Sequence, residues 1–109
     1  MSQFDEKMAI YEAQLQELNI AYDVEQLKAA AKGLGPSIYN VDSSKVSCSD
    51  DDEKARVKTN FLMKKLGMAD SPALMEAIEA VCAQMGSGNR NKYRPVFYYL
   101  LAQKMGVTL

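Results

Sequence analysis

The sequence predicts an all-α protein, a compact single-domain bundle of about five helices. Apolar residues recur at helical spacing in several separate stretches, and cap and stop residues punctuate those stretches. No segment shows the strict alternation of a half-buried strand. A length of 109 residues leaves room for one core and not two.

The first helix is announced by Phe4, Met8, Tyr11, Leu15 and Leu18, at spacings of four, three, four and three. Ser2 with Asp5 supplies a start signal. The same spacing suits a coiled-coil seam and hence a dimer, but it lasts only about two heptads, so packing inside the domain is the simpler expectation. Asp23 reads as the N-cap of a second helix, with Gln26 at the capping-box position and Gly33 as its stop. Residues 33–48, GLGPSIYNVDSSKVSC, lack clear periodicity. Gly35-Pro36 can open one helical turn, and Ile38, Tyr39, Val41 and Val46 are expected to anchor the segment to the core.

Ser49 followed by DDDEKARVKTNFLMKKLG reads as a third helix. A serine cap and first-turn acids suit the positive end of its dipole, Lys64 and Lys65 the negative end, and Gly67 ends it. The acidic run lacks the alternating ligands, central glycine and distal glutamate of a calcium loop. Ser71-Pro72 opens a fourth helix with cap then proline. Leu74, Ile78, Val81, Cys82 and Met85 share one arc of it, opposite Glu76, Glu79 and Ala83, and Gly86-Ser87-Gly88 closes it.

The densest stretch is NRNKYRPVFYYLL, residues 89–101. Tyr93, Phe97, Leu100 and Leu101 fall on one arc, and Tyr99 points nearly opposite Phe97. A helix apolar almost all round is expected at the centre of its bundle. Pro95 is tolerated only near a helix start, which places the start near 91–94 with Asn89 or Asn91 as cap. Arg90, Lys92 and Arg94 then surround a helix N-terminus, where a bound anion would suit both the dipole and the cations. The candidate anion or nucleic-acid site is therefore Arg90, Lys92 and Arg94, with Tyr99 or Tyr98 for stacking on a base and Lys64 and Lys65 as further cations. The structural alternative is that these cations meet acids of the N-terminal half. That half, residues 1–53, carries four lysines against eleven acids, while residues 54–109 carry nine cations against three acids. The overall pI near 5.4 disfavours a strong general nucleic-acid binder.

Composition excludes more than it assigns. The chain has no histidine, so a His-based triad or zinc site is ruled out, and no metal or cofactor is expected. Acid–base work would fall to carboxylates, lysine or tyrosine, and no reaction can be assigned, so the protein is not expected to be an enzyme. Cys48 and Cys82 are expected to be free, inert thiols, although one disulfide is compatible with the count. The N-terminus lacks the pattern of a signal peptide and no run approaches a membrane span, so the cytoplasm is the default address.

The blocks FDEKMAIYEAQL (4–15), KGLGPSIYN (32–40), NFLMKKLG (60–67) and NRNKYRPVFYYLL (89–101) resemble those shared by a short bacterial family of uncharacterised proteins, a domain of unknown function. The resemblance spans nearly the whole chain and implies a bacterial, single-domain protein. It brings no activity, ligand or catalytic residue. From the residues alone the expected role is a small non-enzymatic interaction module, binding a protein partner or itself. Nucleic-acid or anion binding at the start of the last helix is the alternative.

Overall fold

The computed structural model of the chain describes residues 2–40 and 44–109, and Val41 lies outside them. Among the described residues five α-helices form one core: α1 Gln3–Glu17, α2 Val24–Leu34, α3 Asp51–Val57, α4 Pro72–Met85 and α5 Arg94–Lys104. A 3-10 turn, Gly35–Tyr39, follows α2, and π-helical backbone over Lys58–Lys65 extends α3. None of the helices is long and apolar enough to cross a membrane.

Local chemistry sets most helix ends. Ser2 caps α1 by accepting from the Asp5 N–H at 3.1 Å, and Asp23 caps α2 by accepting from Glu25 N–H at 2.9 Å. Gln26 does not complete a capping box; its Oε1 accepts from the Leu109 N–H at 2.6 Å instead, fixing the C-terminal segment. The second helix runs past Gly33 to Leu34, because Gly35 is the residue in the left-handed region, with φ of 62°. Asp50, one residue after the expected Ser49, caps α3 by accepting from Asp52 and Glu53 N–H. A carboxylate there neutralises two free N–H groups and suits the dipole better than a hydroxyl.

The π-helical continuation of α3 has no counterpart in the sequence reading. Its closing bond runs five residues back, from Leu66 N–H to the Phe61 carbonyl at 2.9 Å. The wider backbone buries Phe61 and Leu62 side by side. The Phe61 ring stacks on Tyr98, with centroids 4.0 Å apart and planes 19° from parallel. Such a pair contributes about 1 kcal/mol beyond its buried area, which helps offset the poorer backbone geometry.

The last helix is central, as its all-round apolarity predicts. Every residue from Pro95 to Ala102 is buried, and α5 packs against α1, α2 and α4. Met8, Tyr11 and Leu15 of α1 are buried in the same core, so the stripe of the first helix is spent inside the fold. Ile38 and Val46 anchor the 33–48 segment, whereas Tyr39 is 41% exposed and does not.

Candidate anion-binding cleft

The site is built where two irregular segments cross the end of α4. Gly86, at φ of 100°, ends that helix in a conformation that a side chain would strain. Asn89 then organises the turn: its N–H donates to the Gly86 carbonyl at 3.0 Å and its amide to the Met85 carbonyl at 3.2 Å. The Asn89 Oδ1 accepts from Asn91 N–H at 2.8 Å, so neither asparagine caps α5. The α5 N-cap is Tyr93, three residues beyond Arg90. The second segment, 44–46, pairs with this loop. Val46 N–H donates to the Lys92 carbonyl at 2.8 Å, and Arg94 N–H to the Ser44 carbonyl at 2.9 Å.

That pairing takes up part of the α5 N-terminus, where an anion was expected to sit. The Arg94 N–H is engaged, Pro95 has none, and Phe97 N–H returns to the Tyr93 carbonyl at 2.9 Å.

Beside it lies a cleft of about 870 Å³ whose walls include Lys45, Arg90, Lys92, Cys48, Cys82 and Glu79. Lys92 is only 5% exposed, and its Nζ donates to the Asn89 carbonyl at 2.6 Å. Lys45 Nζ sits 5.9 Å from the centre of the Tyr93 ring. Arg90 is exposed. Among the described residues none of these three cations has a carboxylate partner. Glu79, the one acid on the walls, is engaged by Lys54 Nζ at 2.6 Å.

The remaining expected site residues go elsewhere. Arg94 is withdrawn by a partly buried pair, its Nη2 lying 2.6 Å from Glu53 Oε1. It also donates to the Lys45 carbonyl at 3.0 Å and to Tyr98 Oη at 3.1 Å. Burial works against the Arg94 charge, yet its hydrogen bond to Glu53 prevails and holds its pKa above the ordinary value. Burial likewise pushes the Glu53 carboxyl up, but hydrogen bonds from Arg56 and Arg94 outweigh it and hold the pKa below the usual range. Tyr99 is 1% exposed, so its ring is closed to a base. Its hydroxyl accepts from Asp23 N–H at 2.8 Å and from Gln103 Nε2 at 2.6 Å, tying α5 to the α2 cap. Lys64 and Lys65 are exposed on the π-helical segment and do not line the cleft, and Lys65 lies over Gly33.

The cysteines also depart from the sequence expectation. Cys48 and Cys82 form a disulfide, with Cα atoms 6.0 Å apart, within the span a bridge needs. The apolar arc of α4 puts Cys82 at the cleft floor, and the 44–50 segment brings Cys48 over it. Lys45 was missed as a site residue because it lies far from residues 90–94 in sequence; only the pairing of segment 44–46 brings it there. Burial, with Tyr39 and Tyr93 nearby, pushes the Tyr11 phenol up to about 12, so it stays protonated near neutral pH.

Fold and cleft together define a small, disulfide-bridged, all-α protein with a cationic cleft beside its bridge. The chain belongs to the family described as Protein of unknown function (DUF2853), whose model matches residues 10–108. No curated protein matches it.

Proposed function

We propose that the protein binds a small anionic ligand, carrying phosphate or carboxylate groups, in the cleft between segment 45–49, α4 and the 86–92 loop. One observation carries this reading: Lys45, Arg90 and Lys92 line a single cleft, none of them has a carboxylate partner among the described residues, and one of them is almost fully buried. A buried ammonium held only by a backbone carbonyl is costly unless a counter-ion completes it. The cleft volume falls within the range of small-molecule sites.

Nucleic acid is the weaker reading. With Arg94 paired, Tyr99 buried, and Lys64 and Lys65 outside the cleft, few cations remain for a phosphate backbone. A self-pairing module is weaker too, since the α1 stripe is used internally. The large exposed apolar side chains Ile10, Val24 and Tyr39 sit on three different elements. The cytoplasm, rich in phosphorylated and carboxylated metabolites, is the compartment this reading suits.

The test is calorimetric titration of the oxidised protein with pyrophosphate, alongside labelled single-stranded nucleic acid followed by anisotropy. Binding tighter than about 1 mM, weakened by salt and by Arg90→Ala, is expected for pyrophosphate. Absence of pyrophosphate binding at low salt, with the fold intact, refutes the reading.

A further inference from the structure

The Cys48–Cys82 bridge forms part of the cationic cleft. Cys82 is 8% exposed and Cys48 is half-buried, so Cys48 is the more accessible half of the bond. Segment 44–46 is held to residues 92–94 by two backbone hydrogen bonds, Val46 N–H to the Lys92 carbonyl and Arg94 N–H to the Ser44 carbonyl, and by the Arg94 guanidinium, which donates to the Lys45 carbonyl. These hydrogen bonds set Lys45 beside Lys92 by contacts that do not involve the sulfurs.

Thiol–disulfide exchange begins with a thiolate, an anion, approaching a sulfur of the bridge. A positive cleft raises the local concentration of anions and speeds their encounter. A thiol carrying carboxylates is favoured twice, through its reacting sulfur and through its remaining charge.

We propose that the bridge exchanges with low-molecular-weight thiols that carry carboxylates, held for attack by Lys45, Arg90 and Lys92. This rests on the anion-binding reading and names the ligand class. The thiolate sulfur attacks Cys48 Sγ; a bond forms between them, and the Cys48–Cys82 bond breaks with its electron pair passing to Cys82 Sγ. A second thiolate attacks the ligand sulfur of that mixed disulfide and releases the Cys48 thiolate. Two ligand thiols leave as their disulfide, oxidised by two electrons, and the protein bridge is reduced by two. The two protons given up by the ligand thiols are balanced by those the protein thiolates take from solvent. The reverse sequence oxidises the protein at the expense of the ligand disulfide.

The experiment compares opening of the bridge in the oxidised full chain by glutathione, 2-mercaptoethanol and cysteamine: anionic, neutral and cationic thiols respectively. Aliquots are quenched with iodoacetamide and read by intact mass and peptide mapping, with rates corrected for thiolate fraction and intrinsic nucleophilicity. Glutathione is expected to react roughly ten-fold or more faster than cysteamine at low salt. That preference shrinks at high salt and in Arg90→Ala, and the mixed disulfide maps to Cys48. Equal corrected rates for the three thiols, or a preference unmoved by both salt and Arg90→Ala, overturn the proposal. Pyrophosphate titration on the same samples separates the cases: if it binds while the rates are equal, the cleft takes anions but the bridge does not exchange selectively. If it does not bind and the rates are equal, both readings fail.

Discussion

Reducing the bridge gives a large stability change without altering the sequence. The cross-linked cysteines are separated by 34 positions, and chain entropy assigns a loop of that size about 4 kcal/mol. An unfolding entropy of about 2.1 cal/mol/K per residue amounts to roughly 230 cal/mol/K for this chain, which converts 4 kcal/mol into about 17 °C. Residual structure in the reduced unfolded chain lowers this, so a fall in Tm of about 10–17 °C is expected on adding dithiothreitol. The assay is thermal unfolding followed by circular dichroism, oxidised against reduced, with Cys48→Ala/Cys82→Ala as a control that needs no reductant. Urea unfolding should show a larger m value after reduction, because the uncrosslinked chain exposes more surface. A Tm change under about 3 °C, with two reactive thiols counted in the untreated denatured protein, would show that the bridge is not closed in solution.

Three further outcomes follow from the ion pair and the Tyr99 network. Glu53→Gln removes the carboxylate that lies 2.6 Å from Arg94 Nη2 in a partly buried pair, so a loss of about 2 kcal/mol is expected by urea unfolding, between the values for exposed and fully buried pairs. The pH dependence runs in one direction: the folded Glu53 pKa lies below its ordinary 4.5, so the unfolded chain binds more protons in between. The stability it contributes is complete above about 4.5 and is lost as pH falls through the lower folded value, an acid slope that Glu53→Gln should flatten. Tyr99→Phe removes the acceptor of Asp23 N–H and Gln103 Nε2 and should cost about 1–2 kcal/mol while leaving pyrophosphate binding intact.

How much of this was readable in advance follows the range of the interactions involved. Ser2, Asp23, Ser71-Pro72 and Gly86 set helix ends through neighbours within a few residues, and they stand where the sequence places them. The central position of α5 was likewise legible, since a helix apolar on every side has few other places to go. The π-helical stretch was not, because it depends on Phe61 meeting Tyr98 on another helix. The cationic cluster was half legible. Arg90 and Lys92 are its members, but the neighbouring Arg94 is claimed by Glu53 and replaced by Lys45, a swap that periodicity along the chain carries no trace of. The bridge was hidden for the same reason: Cys82 was read as a small hydrophobe on an apolar arc, and only the path of segment 44–50 shows what covers it.

Lys92 offers the sharpest division between holding the fold and serving a ligand. At 5% exposure the residue is nearly buried, and its Nζ donates to the Asn89 carbonyl. A methionine fills similar volume, keeps the stem packed and removes the charge. It also leaves the Asn89 carbonyl without this donor, a loss of about 1 kcal/mol at a position bordering the cleft. These two effects nearly cancel or favour methionine, so Lys92→Met should leave stability within about 1 kcal/mol of the parent or raise it, as is usual where a residue is kept for function at some expense to the fold. The same change should abolish pyrophosphate binding. If Lys92→Met instead unfolds the protein by more than about 2 kcal/mol, the ammonium is a structural clamp on the 86–92 turn. The cleft would then owe its charge to the architecture of the loop, and the anion reading would lose its central residue.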